Sequence, residues 1–265
     1  MTSPIRRVAA LYDVHGNLPA LDAALADVDA AEVDLVIFGG DLALGPMPRE
    51  VLERIAELGN RARSLRGNCD RLMVDACNGR LPATLPAAVR APITWAAEQL
   101  RQRHRDFLAA LPATITLDIA SLGALLFCHA TPRSDEEIVT VRTPEERVRT
   151  IMGTVRESVV VCGHTHMPFD RRIDGVRVVN AGSVGMPFGE PGAHWLLAGP
   201  SLEHRRSEYD VESAARRISL SGYPDAERFA ERHVLHPPTE AAMLAMFEAS
   251  ESAAPASAGP PSGAP

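Results

Sequence analysis

The chain has 265 residues, 46% hydrophobic and 23% charged, a composition that fits one large globular domain or two small ones. A net charge of −7 argues against a dedicated nucleic-acid coat, and no run approaches the roughly 18 apolar residues of a membrane span. All 27 basic side chains are arginines, which excludes a Schiff-base lysine, a lysine general base and a P-loop lysine. The N-terminal MTSPIRRVAAL enters a strand without a cleavable signal pattern, so the cytoplasm is the expected compartment. Cys69, Cys77, Cys128 and Cys162 show no framework spacing, and a chain of this size needs no disulfide.

Val8 to Tyr12 is predicted to be a buried strand. Leu18, Leu21, Leu25 and Val28 then recur at helical spacing, with Asn17 placed to cap and Pro19 in the first turn. Leu35 to Phe38 is a second strand, and Val51, Leu52, Ile55 and Leu58 mark a second helix. Such alternation implies right-handed βαβ units and a parallel sheet, whose site lies at the carboxyl ends of the strands. Between 70 and 112 the chain turns rich in Ala, Leu and Arg, with Leu100, Phe107, Leu108 and Leu111 expected on one helical face. From Arg61 to Pro112 nine arginines stand against four acids, either a solvated face or a helical insertion overhanging an anion site. His104 there reads as a solvated helix residue.

The second half is mainly strand. Ile115–Ile119 and Ala124–Cys128 form a predicted hairpin, and Thr143-Pro144-Glu145-Glu146 reads as a capping box opening a helix through Val155. Val159 to Cys162 is a buried strand. Asp174-Gly175 is a hairpin signal between Arg171–Ile173 and Val176–Val179. Trp195–Ala198 and Leu202–Arg206 suggest another hairpin, followed by helices at Val211–Leu220 and Thr239–Ala249. The final SESAAPASAGPPSGAP is low-complexity.

Polar clusters fall where the strands end: Asp13-Val14-His15-Gly16-Asn17, Gly39-Gly40-Asp41, Gly67-Asn68-Cys69-Asp70, His129-Ala130 and Gly163-His164-Thr165-His166. Each alone has a plain explanation in turn chemistry or in a buried, satisfied histidine. Five strand ends all carrying Asp, His or Asn go beyond what turns need. In GHTH, two His at i and i+2 of an extended loop can point at one centre. Asp13, His15, Asp41, Asn68, His129, His164 and His166 converge if the sheet is parallel. Seven protein ligands are too many for one catalytic ion with an open position, and suit two ions sharing a carboxylate. Mixed carboxylate, imidazole and amide oxygen donors fit divalent transition metals better than Ca²⁺. Mn²⁺ is the first choice, with Fe, Zn²⁺ or Ni²⁺ as alternatives.

The order D-x-H, GD, GN, H, GHxH resembles the calcineurin-like metallophosphoesterase superfamily, and D-x-HGN with GNCD resembles its small bacterial and archaeal phosphodiesterase branch, over roughly Ile5 to Arg206. The resemblance implies an α/β (α+β) fold, a four-layer αββα sandwich of two mixed sheets flanked by helices. Outside the motif evidence, composition and patterning divide the chain into a domain over 1–236 with a helical insertion or lid at 70–112, a C-terminal helix over 237–250 and a disordered tail over 251–265. The resemblance goes further for the site. It places Asp13, His15 and His166 on a first metal, Asn68, His129 and His164 on a second, and Asp41 bridging both. A metal-bridging hydroxide would attack phosphorus in line with the leaving oxygen, with Asp41, Asn68 and Cys69 as the catalytic positions. Where many members carry GNH, this chain has Cys69, and a thiol cannot offer a cationic imidazolium. Esters with acidic leaving groups, such as aryl phosphodiesters, are therefore expected over alkyl monoesters.

Arg133, in HATPR, is the arginine picked for phosphate contact. Asp70 reads as either an orienting carboxylate or a cap, and Asn180 as structural. The expected substrate is a small phosphate ester, with neither membrane nor nucleic acid as partner and with a homo-oligomer left open. The alternatives are a phosphomonoesterase or phosphoprotein phosphatase and, as a lesser one, a non-catalytic scaffold of the same fold.

Overall fold

The computed structural model describes residues 4–253. The first half builds one sheet by alternation. Strand β1 (Val8–Leu11) leads into helix α1 (Leu18–Ala30), β2 (Leu35–Phe38) into α2 (Pro48–Glu57), and β3 (Ala62–Ser64) into α3 (Asn68–Cys77). Strands β1, β2 and β3 run parallel, and the hairpin β9 (Ala193–Ala198) and β10 (Leu202–Ser207) closes the other edge, giving the order β10-β9-β1-β2-β3. The second sheet holds β4 (Thr114–Ile119), β5 (Gly123–Cys128), β6 (Val159–Cys162), β7 (Phe169–Ile173) and β8 (Val176–Asn180), in the order β4-β5-β6-β8-β7. Strands β5, β6 and β8 are parallel, with antiparallel neighbours at both edges. Asp174 and Gly175 both take positive φ, 48° and 86°, the two left-handed positions that a tight β7–β8 turn requires.

Period-two side-chain alternation assembles the layers. Val8, Ala10, Tyr12 and Ile37 face Leu125, Phe127, Val159 and Val161 in a core between the sheets. The intervening Ala9, Leu11, Val36 and Phe38 face away, onto Leu21, Leu25, Val51 and Ile55 of α1 and α2. On the far side, Leu126, Val160 and Val178 meet Val148, Ile151 and Met152 of α6 (Glu145–Met152). The result is the αββα sandwich, with two mixed five-stranded sheets and nine α-helices among the described residues. The Tyr12 hydroxyl donates to the Val161 carbonyl at 3.0 Å and pins one sheet to the other directly below the strand ends.

Helices α3, α4 (Ala87–Glu98) and α5 (Gln102–Ala109) join the layer outside the first sheet, where Met73, Ala96, Leu100 and Leu108 enter its core. Phe107 does not share that face and is exposed, whereas His104 is buried. His104 accepts from the Arg101 N–H through Nδ1 at 3.3 Å, at the start of α5, so it is a helix-end group rather than a solvated one. The Thr143 capping box does not form. The Thr143 hydroxyl accepts from the Thr140 N–H at 2.9 Å, closing the preceding turn, and α6 ends at Met152 beside Gly153 rather than at Val155. After α7 (Val211–Ser219) come α8 (Ala226–Ala230), a π-turn over Glu231–Leu235, and α9 (Glu240–Ala253). Helix α9 includes the first three positions of the tail expected over 251–265; 254–265 lie outside the described residues. No described helix is long and apolar enough to cross a membrane.

Candidate metal centre

The parallel strands of both sheets end at the same rim. Asp13 and His15 follow β1, Asp41 follows β2, His129 follows β5, and His164 and His166 follow β6. Asn68 is the first residue of α3, so the expected insertion begins inside the GN motif itself.

The backbone there is unusual. Asp13, His15, Asp41, His164 and His166 all sit in the left-handed region, with φ from 47° to 65°. These are five of the eight non-glycine residues with positive φ among the described residues. Each costs about 1–2 kcal/mol relative to ordinary backbone. Strain gathered so tightly marks a functional constraint. GHTH is therefore not extended, as its spacing suggested, but two left-handed turns that aim alternate side chains inward.

Each imidazole is fixed from behind by a backbone carbonyl, which can only accept. His15 Nδ1 donates to the Leu44 carbonyl (3.3 Å), His129 Nδ1 to Gly39 (2.9 Å) and His166 Nδ1 to Met186 (2.7 Å). In a neutral ring the inward Nε2 then carries a lone pair. Yet His15 Nε2 lies 3.2 Å from His166 Nε2, and His129 Nε2 lies 3.0 Å from the Asn68 side-chain oxygen Oδ1. Acceptors this close to acceptors need a cation between them, either a proton or a metal. His164 is turned the other way. Its Nε2 meets the Glu136 carbonyl at 3.2 Å, and its ring stands 5.2 Å from that of His129.

Both carboxylates are buried. Asp13 Oδ2 accepts from the His164 N–H at 2.9 Å, while its Oδ1 has no hydrogen-bond partner at all. That oxygen lies 3.4 Å from His166 Nε2 and 3.9 Å from the Nε2 atoms of His15 and His129. Asp41 Oδ1 accepts from the Cys69 N–H at 2.8 Å, and Oδ2 lies 3.5 Å from His129 Nε2 and 3.7 Å from His15 Nε2. Burial would raise the Asp41 carboxyl, but the His129 charge pulls it far below the usual carboxylate range. Burial would depress His129, yet Asp41 carries it up to about 10, a proton standing where positive charge is needed. Three sets of atoms within 4.8 Å of one another could each hold an ion: Asp13–His15–His166, Asp13–Asp41–His129 and His15–Asp41–Cys69. An orphaned buried carboxylate oxygen among imidazole lone pairs is the donor set that a divalent transition metal takes.

Asp70 builds the floor. It accepts the N–H groups of Asp41 (2.8 Å) and Gly67 (3.0 Å) through Oδ2, and that of Leu42 (3.0 Å) through Oδ1. It therefore holds the Asp41 loop instead of orienting a histidine. Gly67 is required by close approach: a Cβ there would lie 2.1 Å from Asp41 Oδ1. Asn180 donates to the Gly163 carbonyl and the Thr165 hydroxyl, holding the GHTH turn, and Asn17 accepts from the Ala20 N–H as the cap of α1.

Two clefts open onto this rim. A basic one of about 260 Å³ beside His129 is lined by Arg66, Arg71 and Arg133. Arg133 is there, but its guanidinium is committed to Glu137, at 2.6 and 3.0 Å. Arg71 is likewise paired with Asp135, whereas the buried Arg66 Nε makes no hydrogen bond and lies 3.8 Å from the same carboxylate. Arg66 was not singled out by the sequence; its one signal was its place directly before Gly67-Asn68. The second cleft, about 470 Å³, starts at His15 and Cys69 and runs out between α4 and α8. Burial, with Asp41 next, pushes the Cys69 thiol well above its ordinary value, so it stays neutral.

Comparison with known proteins agrees with this architecture. A metallophosphoesterase from Sphaerobacter thermophilus is 27% identical, with 86% of this chain and 98% of that one covered at a TM-score of 0.68. A hypothetical protein from Pyrococcus horikoshii OT3 has the same fold, at 24% identity and a TM-score of 0.75 over 88% of this chain and 99% of that one. Phosphodiesterase YfcE of Escherichia coli K12 is 26% identical over 195 residues, 70% of this chain and 83% of that protein. The profile of the calcineurin-like phosphoesterase superfamily domain matches residues 7–198, the stretch that contains every strand-end cluster, and the chain belongs to that superfamily.

Proposed function

We propose that this protein is a dinuclear-metal-dependent phosphoesterase acting on phosphodiesters. The observation that carries the reading is Asp13 Oδ1, buried without a hydrogen bond and facing three imidazole nitrogens. Asp13, His15 and His166 would hold one ion, Asn68, His129 and His164 the other, and Asp41 both, with Mn²⁺ as the first choice. When bound, the ions would supply Lewis acidity, lowering the pKa of a water and offsetting charge that develops on the phosphoryl oxygens. The carbonyls behind His15, His129 and His166 hold those rings in one tautomer and one orientation, so no reorganisation is needed during reaction.

Phosphodiesters are favoured for two reasons. A relative of the chain is named a phosphodiesterase. In addition, Cys69 stands where a proton-donating histidine would serve a poor leaving group, and its neutral thiol favours esters whose leaving group departs unaided. Cys69→His is expected to raise kcat for an alkyl phosphate ester by about tenfold or more while changing little for an aryl one. An unchanged ranking of substrates would count against this role for Cys69.

The direct test is metal analysis of the protein as isolated, then hydrolysis of bis(4-nitrophenyl) phosphate and 4-nitrophenyl phosphate with Mn²⁺ added. Bound metal and preference for the diester are expected. Protein that holds no transition metal and cleaves neither compound would overturn the reading in favour of a scaffold. Binding also couples to folding: Mn²⁺ at a hundred times its Kd should stabilise the protein by about 2.7 kcal/mol, raising Tm by about 5–10 °C. Asp13→Asn should remove most of that rise, and a Tm indifferent to Mn²⁺ and to chelator would contradict the ligand assignment.

A further inference from the structure

The cleft that begins at His15 and Cys69 is built differently from the basic one across the rim. Its walls are Ala88, Val89 and Pro92 of α4 on one side and Tyr223 and Phe229 on the other, with Met186 at the inner end. The aromatic wall is packed ring against ring. Tyr223 meets the rings of Trp95 and Phe229 edge-on, at 5.4 and 5.9 Å between centroids. The rim carries opposite charges, Asp225 and Arg228. His233 also lines the cleft, in the π-turn after α8, a local winding that recurs at functional sites. Its Nδ1 is buried and has no hydrogen-bond partner.

Metal binding does not account for the outer part of the cleft, since neither Asp225 nor His233 belongs to the candidate ligand sets. An apolar slot with a few polar groups at its edge is a small-molecule site, and a volume of about 470 Å³ fits a nucleoside-sized group. A plain aryl ring would leave the Asp225 and Arg228 charges and the His233 nitrogen unused. A nucleobase offers both a flat face for Tyr223 and Phe229 and a polar edge for those groups.

We propose that the cleft between α4 and α8 binds the nucleoside arm of a phosphodiester whose phosphorus sits at the metal centre, a proposal that rests on the phosphodiesterase reading above. Tyr223 and Phe229 contact the base, Asp225, Arg228 and His233 read its edge, and Val89 forms the lip.

Binding can be tested without metal, because Trp95 touches Tyr223 while Trp195 is buried and bonded to Ser207, an internal control. In chelator-treated protein, adenosine 5′-monophosphate should shift the Trp95 indole N–H resonance, whereas inorganic phosphate and phenyl phosphate should not. With Mn²⁺ present, thymidine 5′-(4-nitrophenyl) phosphate should exceed methyl 4-nitrophenyl phosphate in kcat/KM by about tenfold or more, the leaving group being shared. V89W, at an exposed position, should bring that ratio close to one, and Tyr223→Ala should do the same from the opposite wall. A Trp95 signal unmoved by the nucleotide, or moved as strongly by phenyl phosphate, overturns the proposal, as does a ratio near one in the native protein. Failure to cleave either ester would count against the phosphodiesterase reading itself, while the metal-free resonance still decides whether the cleft takes a nucleoside.

Discussion

Asp41→Asn is expected to lower phosphoester turnover by about 10³-fold or more, the largest loss from any single substitution at the rim. The carboxylate has two separate tasks. Oδ1 holds the Cys69 N–H, and an amide oxygen could keep that bond; Oδ2 faces both His129 and His15, and an amide cannot replace its charge there. Without the anion, the inward nitrogens on either side lose the negative group that draws positive charge between them. On the proposed dinuclear centre, bound metal should fall from two equivalents toward one or fewer, with circular dichroism unchanged. A variant that kept a tenth of native kcat with full metal content would show that Asp41 is not shared between two ions.

Asp70→Ala is expected to cost about 3 kcal/mol or more of folding stability, at about 1–3 kcal/mol for each of three buried backbone N–H groups left without an acceptor. No compensating water is expected in so closed a place, since Asp70 is fully buried. Burial, then the neighbouring Asp41 charge, push the Asp70 carboxyl up to about 7, against the pull of the Gly67 and Leu42 N–H groups. Charge is thus not its whole contribution, and Asp70→Asn, which retains an oxygen acceptor, should lose less than the alanine variant. The same N–H groups position Asp41 at its left-handed φ of 54°, so kcat should fall by about 10–100-fold in the alanine protein that remains folded. Denaturant unfolding checks the first claim. A change below about 1 kcal/mol would mean that the Asp41 loop holds itself.

The proposed mechanism depends on pre-payment of strain. Five left-handed residues of the candidate metal centre hold their backbone turns before substrate arrives, with glycine at the point of closest approach, where Gly67 leaves room for the Asp41 carboxylate. The stability that offsets this comes from the core beneath, where Tyr12, Ile37, Phe127 and Val161 are fully buried between the sheets.

Much of this was determined by the sequence alone. Local periodicity announced the alternation of β1, α1, β2 and α2. Asp174-Gly175 announced the β7–β8 turn, and the polar residues at five strand ends announced which side chains would meet. These features are legible because they depend on neighbours a few residues away, or on the rule that parallel strands share a rim. Tertiary structure alone decided the rest. His166 finds its carbonyl at Met186, His129 at Gly39 and Asn17 at Gly185, partners 20, 90 and 168 positions away. Arg133 turned out to be occupied by Glu137, His104 to be buried and Asp70 to hold a loop, while Arg66 and the cleft beside Tyr223 left no pattern to read. Hydrogen-bond partners and cavity walls are contributed by segments that only packing brings together, and no local pattern in the chain records which segments those are.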